Sequence, residues 1–74
     1  MNIYEIQEYA KDHGFDSLKF AMTNRNGATF YGHFLDAYFG MIMIPEIGDG
    51  FIVISHLIQE YGFDEFEFTV LEGN

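Results

Sequence analysis

Apolar side chains recur along this chain with two different periods. Between residues 3 and 13, Ile3, Ile6, Tyr9, Ala10 and His13 fall on one side at ~100° per residue, and Gln7, Glu8, Lys11 and Asp12 fall opposite. The spacing predicts a first helix, capped by Asn2 and stopped by Gly14. The period then changes to two. Leu18, Phe20 and Met22 alternate with Ser17, Lys19, Ala21 and Thr23, which predicts a strand with one buried face. Asn26-Gly27 predicts a two-residue hairpin turn leading to a second strand over residues 28–35. Asp36-Ala37 offers a second turn. Residues 38–44 then read as a third strand, whose unbroken apolar run suits the sheet interior or an interface, and Pro45 ends it.

Residues 46–50 form a loop, with Asp49 placed to cap the element that follows. Over residues 51–61, Phe51, Val53, Ile54, Leu57, Ile58 and Tyr61 share one side while Ser55, His56, Gln59 and Glu60 face away, so a second helix is predicted. A rival reading makes residues 51–54 a strand and starts a short helix at Ser55, because β-branched residues favour extended backbone. After Gly62, Phe66, Phe68 and Val70 alternate with Glu65, Glu67, Thr69 and Leu71, which predicts a fourth strand.

The two helices begin the same phrase. "IQEYAKDHGFDSLKFAM" starts at Ile6 and "IQEYGFDEFEFTV" at Ile58. Each is a helix, a glycine, Phe-Asp and an alternating strand that matches Leu18 with Phe66, Phe20 with Phe68 and Met22 with Val70. Residues 10–13 are an insertion in the first copy, and four residues turn a helix by ~400°, so the buried stripe keeps its phase. The expected fold is therefore α+β: a small two-layer sandwich with two helices on one face of a four-stranded, mainly antiparallel sheet. Its chain order is α-β-β-β-α-β with an α-turn-β pseudo-repeat, in one domain spanning residues 1–74. Lys19 sits at the position equivalent to Glu67, and pairing it with Glu65 or Glu67 across neighbouring strands relieves like-charge repulsion, which favours the strand order 4-1-2-3.

Composition supports a packed core. Of 74 residues 49% are apolar and 19% aromatic, so disorder is excluded despite the charge, although a core of this size is only marginally stable alone. The lack of cysteine excludes disulfides, thiolate metal sites and cysteine nucleophiles. The amino terminus lacks the basic leader and apolar run of a signal peptide, and the apolar runs 37–44 and 51–54 fall short of the ~20 residues that span a bilayer. A soluble, cytoplasmic protein is expected.

Charge is the strongest compositional signal. Twelve Asp and Glu against three Lys and Arg leave a net charge of −9, divided as −2 over residues 1–36 and −7 over residues 37–74, where no Lys or Arg occurs. Such a field repels nucleic acid and anionic membranes and favours basic partners. Catalytic patterns are missing. His13, His33 and His56 lack ligand spacing, and adjacent Ser55 and His56 point ~100° apart on a helix, which keeps the imidazole from serving as base to the hydroxyl. Gly48-Asp49-Gly50 lacks the third glycine of a dinucleotide fingerprint and places an acid where pyrophosphate would approach. No catalytic, metal-binding or cofactor-binding residue is assigned, and the chain is read as a non-enzyme.

What remains is surface. Carboxylates at alternate strand positions lie ~6.6 Å apart, so a row of anions of phosphate-like spacing is available. The candidate partner-binding residues are Asp64, Glu65 and Glu67, with Glu60, Glu46 and Asp49. A second candidate surface is apolar: Tyr31, His33, Tyr38, Phe39, Met41 and Met43 cannot all pack beneath two helices, because alternate strand residues face away from them, and a homodimer through that outer face or the third-strand edge is expected. In size, acidity and lack of catalytic groups the chain resembles the small inhibitors carried by phages and other mobile elements, including acidic DNA mimics and some anti-CRISPR and anti-restriction proteins. That profile implies an inhibitor whose acidic surface blocks a basic nucleic-acid-binding site on a partner protein, without binding nucleic acid itself. The alternative is a small homo-oligomeric adaptor or structural module whose acidity is only solubilising.

Overall fold

A computed structural model describes residues 1–14, 18–48, 50–62 and 65–72. Along the chain run α1 (Ile3–His13), β1 (Lys19–Thr23), β2 (Thr29–Asp36), β3 (Met41–Met43), β4 (Phe51–Val53), α2 (Ile54–Tyr61) and β5 (Glu67–Glu72). The strands form one antiparallel sheet in the order β4-β3-β2-β1-β5.

Local chemistry starts α1. The Asn2 side chain accepts from the Glu5 N–H at 2.8 Å, and the Glu5 carboxylate accepts from the Asn2 N–H at 2.9 Å, so two of the helix's orphan donors are satisfied reciprocally. The helix buries Ile3, Ile6 and Ala10. His13 was expected in that stripe but is exposed: its ring stacks on Tyr9 at 3.9 Å, and its Nδ1 lies 3.0 Å from the Tyr9 carbonyl oxygen. α2 buries Ile54 and Leu57. Both helices contribute to one core with Leu18, Phe20, Met22, Phe34, Ile42, Ile44 and Phe68, and so cover the same face of the sheet.

The sequence repeat has a geometric counterpart. β1 and β5 are antiparallel neighbours in which Phe20 stands opposite Val70 and Met22 opposite Phe68, about a central pair Ala21 and Thr69. A two-fold rotation at that pair carries Phe20 onto Phe68 and Met22 onto Val70, the same equivalences that the repeated phrase sets up. Phe20 and Phe68 are both buried and meet edge-on, with centroids 5.5 Å apart. The Phe-Asp steps of both copies lie outside the described residues.

Four expectations require correction. The sheet has five strands, because residues 51–53 pair with β3 (Ile42 opposite Ile52) instead of opening the second helix. Hydrogen bonding to a neighbouring strand outweighs the helical period that Phe51 and Val53, though not Ile52, share with residues 54–61. Chain order and sheet order differ accordingly from the four-stranded expectation, with β4 added at one edge; β5 lies beside β1 at the other. Second, the β1–β2 hairpin uses a three-residue loop. Gly27 N–H bonds to the Asn24 carbonyl, Asn24 N–H bonds to the Ala28 carbonyl, and Gly27 adopts φ 86°, the left-handed residue that such a loop needs. Third, β3 is shorter than residues 38–44, since residues 37–40 form a turn. Asp36 Oδ1 accepts from the N–H of Tyr38, and the Gln7 side chain donates to the Ala37 carbonyl at 2.6 Å, tying the turn to α1. Fourth, the residue opposite Lys19 on β5 is Glu72 and the residue opposite Glu67 is Thr23, because antiparallel pairing reverses the order that the repeat alignment suggested.

Candidate functional site

Because both helices lie on one side, the other side of the sheet has no second layer among the described residues. Its residues follow from the register. On β5, β1 and β2, Thr69, Ala21 and Tyr31 stand side by side; His33 then faces Met43, Met43 faces Phe51, and Met41 faces Val53. Leu71 continues the β5 row. Strands lie ~4.8 Å apart, so the face is ~19 Å wide across five strands. Tyr31 and Phe51 are each 56% exposed and Leu71 is 54% exposed. Among the described residues no polar side chain is buried, which leaves the polar groups of this face, Lys19, Thr23, Thr29, His33, Glu67 and Thr69, in contact with water. The face is therefore mixed: the exposed apolar side chains Tyr31, Phe51, Val53 and Leu71 and the partly exposed Met41 and Met43 stand among Lys19, His33 and Thr69.

The predicted apolar set divides. Tyr31, His33, Met41 and Met43 lie together on the open face. Tyr38 and Phe39 belong to the 37–40 turn and line a groove on the helix side with Tyr4, Gln7, Ile54 and Ile58. Lys11 Nζ sits 5.8 Å from the centroid of the Tyr38 ring. The third-strand edge is covered by β4, so it offers no docking site. Phe51, Val53 and Leu71 were missed as members of the face. Their signal was present in the β-branched residues of the 51–54 run and the alternation of residues 66–71, but the helical reading hid the first pair and the polar company of Glu65 and Glu67 hid the third.

The predicted acidic set is dispersed. Glu65 precedes β5 and forms an ion pair with Arg25 at 2.8 Å, and Glu67 binds the amino-terminal ammonium of Met1 at 2.7 Å. Both carboxylates are locally compensated. Glu46 stands beside the open face, where its carboxylate accepts from the Tyr31 N–H at 3.3 Å in place of a further β3 residue. Glu60 is exposed on α2. Asp49 and Asp64 lie outside the described residues. His33 and His56 sit on β2 and α2, and no group of three His, Asp or Glu converges on a metal position among the described residues. Among the same residues, no helix is long and apolar enough to cross a membrane. Comparison with protein-family models, curated proteins and solved structures gives no match.

Proposed function

We propose that this is a non-enzymatic binding protein that acts as a homodimer and docks through its open sheet face onto a basic partner, of the kind that binds nucleic acid. The observation that carries the reading is a sheet face with exposed Tyr31, Phe51, Val53 and Leu71, uncovered among the described residues, on a chain of net charge −9. Apolar contact supplies affinity, while the surrounding field selects a basic partner and speeds the encounter. Since Glu65 and Glu67 already hold cationic groups, the contact is assigned to the sheet face with Glu46 at its rim, and not to a row of phosphate-like carboxylates. Occupation of a basic surface competes with nucleic acid for it, which makes the protein an inhibitor. A second reading, a self-assembling structural module whose acidity is solubilising, is favoured by the mixed charges of the same face, where Lys19 and Glu67 both occur.

Affinity capture from a cell lysate tests this with three baits: the wild type, a Tyr31→Ser/Leu71→Ser face variant, and a Glu65→Lys/Glu67→Lys variant. The wild type and the Lys variant should retain one basic protein that the face variant loses, and that protein should be released by added salt and by duplex DNA. Equal retention by the face variant refutes the assignment. Self-association with no salt-sensitive basic partner selects the structural module instead.

A further inference from the structure

The hydrogen-bond alternation of the sheet leaves β4 with unused backbone groups on its outer edge. Ile54 N–H bonds to the Gly40 carbonyl at 2.8 Å, and Ile52 stands opposite Ile42. Successive strand residues direct their backbone groups to opposite sides, so Ile52 serves β3 while Phe51 and Val53 point away from it. Val53 is also the N-cap of α2, and its carbonyl opens the helical ladder. The edge therefore presents the N–H and carbonyl of Phe51 and the N–H of Val53, and no further hydrogen bond engages them among the described residues.

Sheet edges are normally blunted by shortness, charge, proline or a covering segment. The opposite edge is blunted: Phe68 N–H bonds to the Met1 carbonyl at 2.6 Å, the Met1 ammonium donates to the Phe68 carbonyl at 3.0 Å, and β5 begins and ends with Glu. β4 is short, at three residues, but among the described residues it has no charge, proline or covering segment. From residue 50 to residue 59 the chain carries no Asp, Glu, Lys, Arg or Pro, and Phe51 and Val53 are exposed.

We infer that a second copy of the chain covers this edge, β4 pairing antiparallel with β4 of the other copy about a two-fold axis at Ile52, so that two five-stranded sheets become one of ten strands. The inference rests on the homodimer in the proposed function and names the surface that forms it. A two-fold contact requires each copy to offer both donor and matching acceptor. This edge does so, since each Val53 N–H meets the Phe51 carbonyl of the other copy. Phe51 then stands beside Val53 of the second copy, an aromatic against a β-branched side chain, and the two open faces become continuous. Pairing through β5 would instead have to displace Met1 from the Phe68 N–H and carbonyl. A dimer built on β4 presents two partner-binding faces on the same side.

Val53→Pro isolates the edge. Val53 has φ −84°, close to the ~−65° that proline requires, its N–H is unused among the described residues, and Ile52 before it is already extended. Light scattering at high protein concentration should give the wild type twice the chain mass of 8.6 kDa and Val53→Pro the single mass, with the same circular dichroism spectrum. The register is tested separately in a chain that lacks cysteine. Opposed non-hydrogen-bonded residues lie ~4.5 Å apart, within disulfide range, so Ile52→Cys should give a covalent dimer on mild oxidation and Thr69→Cys, in the middle of the open face, should not. A dimeric Val53→Pro variant, or cross-linking through Thr69→Cys alone, overturns the edge assignment and leaves self-association standing. A monomeric wild type overturns both.

Discussion

Removing the ring of Phe20 tests the core on which the open face depends. Phe20 is fully buried and meets Phe34 and Phe68 edge-on, each with centroids 5.5 Å away. Deleting a buried Phe to Ala costs about 3–5 kcal/mol. Two edge-to-face ring pairs, at about 0.5–1.5 kcal/mol each beyond area burial, place Phe20 toward the upper end of that range. Collapse offers little relief, because the residue opposite Phe20 on β2 is Gly32, which has no side chain to move into the void. A domain of 74 residues, at ~0.05–0.15 kcal/mol per residue, has a total stability of about 4–11 kcal/mol. At the upper end of that loss, Phe20→Ala should therefore forfeit between about half and all of the stability. Urea denaturation followed by far-UV circular dichroism reads the loss: with a slope of about 1 kcal/mol/M, the midpoint should fall by several molar. Phe39→Ala deletes the same atoms from a side chain that is 75% exposed, and should move stability by no more than about 0.5 kcal/mol. Equal losses from the two variants would refute the assigned core.

Two further stability predictions follow from close local geometry. A Cβ added at Gly32 would lie 2.7 Å from the Met43 carbonyl oxygen and 2.9 Å from Ile44 Cγ1, so Gly32→Ala should lower stability by about 1–3 kcal/mol in thermal melts, and Phe20→Leu in the same chain should not rescue it because the backbone clash remains. Asn2→Ala removes half of the α1 capping box and should cost about 1 kcal/mol in the same assay, with Asn2→Asp restoring most of the loss.

Elements with local causes were legible in the chain. α1 follows from an apolar stripe, Asn2 and Glu5; the β1–β2 hairpin follows from alternation around Asn26-Gly27; the burial of Phe20 and Phe68 follows from a phrase written twice. Less of the candidate site was legible. The acidic residues were visible as a composition, but the partners that compensate Glu65 and Glu67, Arg25 and the Met1 ammonium, lie 40 and 66 residues away in the chain.

Alternation shows that a strand has two faces, without showing which residues of neighbouring strands stand beside them. Tertiary pairing decided that Thr69, Ala21 and Tyr31 form one row and that His33, Met43 and Phe51 form the next. It also decided residues 51–53, where helical and extended periods both fit and hydrogen bonds to β3 select the strand. Tyr38 and Phe39 left the predicted third strand because Asp36 and Gln7, the latter from another element, hold the 37–40 turn. The sequence by itself determined how much apolar surface the protein has and where along the chain it lies. Which part of that surface meets water was decided by two helices falling on the same side of one sheet, since a side chain is covered only by what packs against it and that neighbour is remote in sequence.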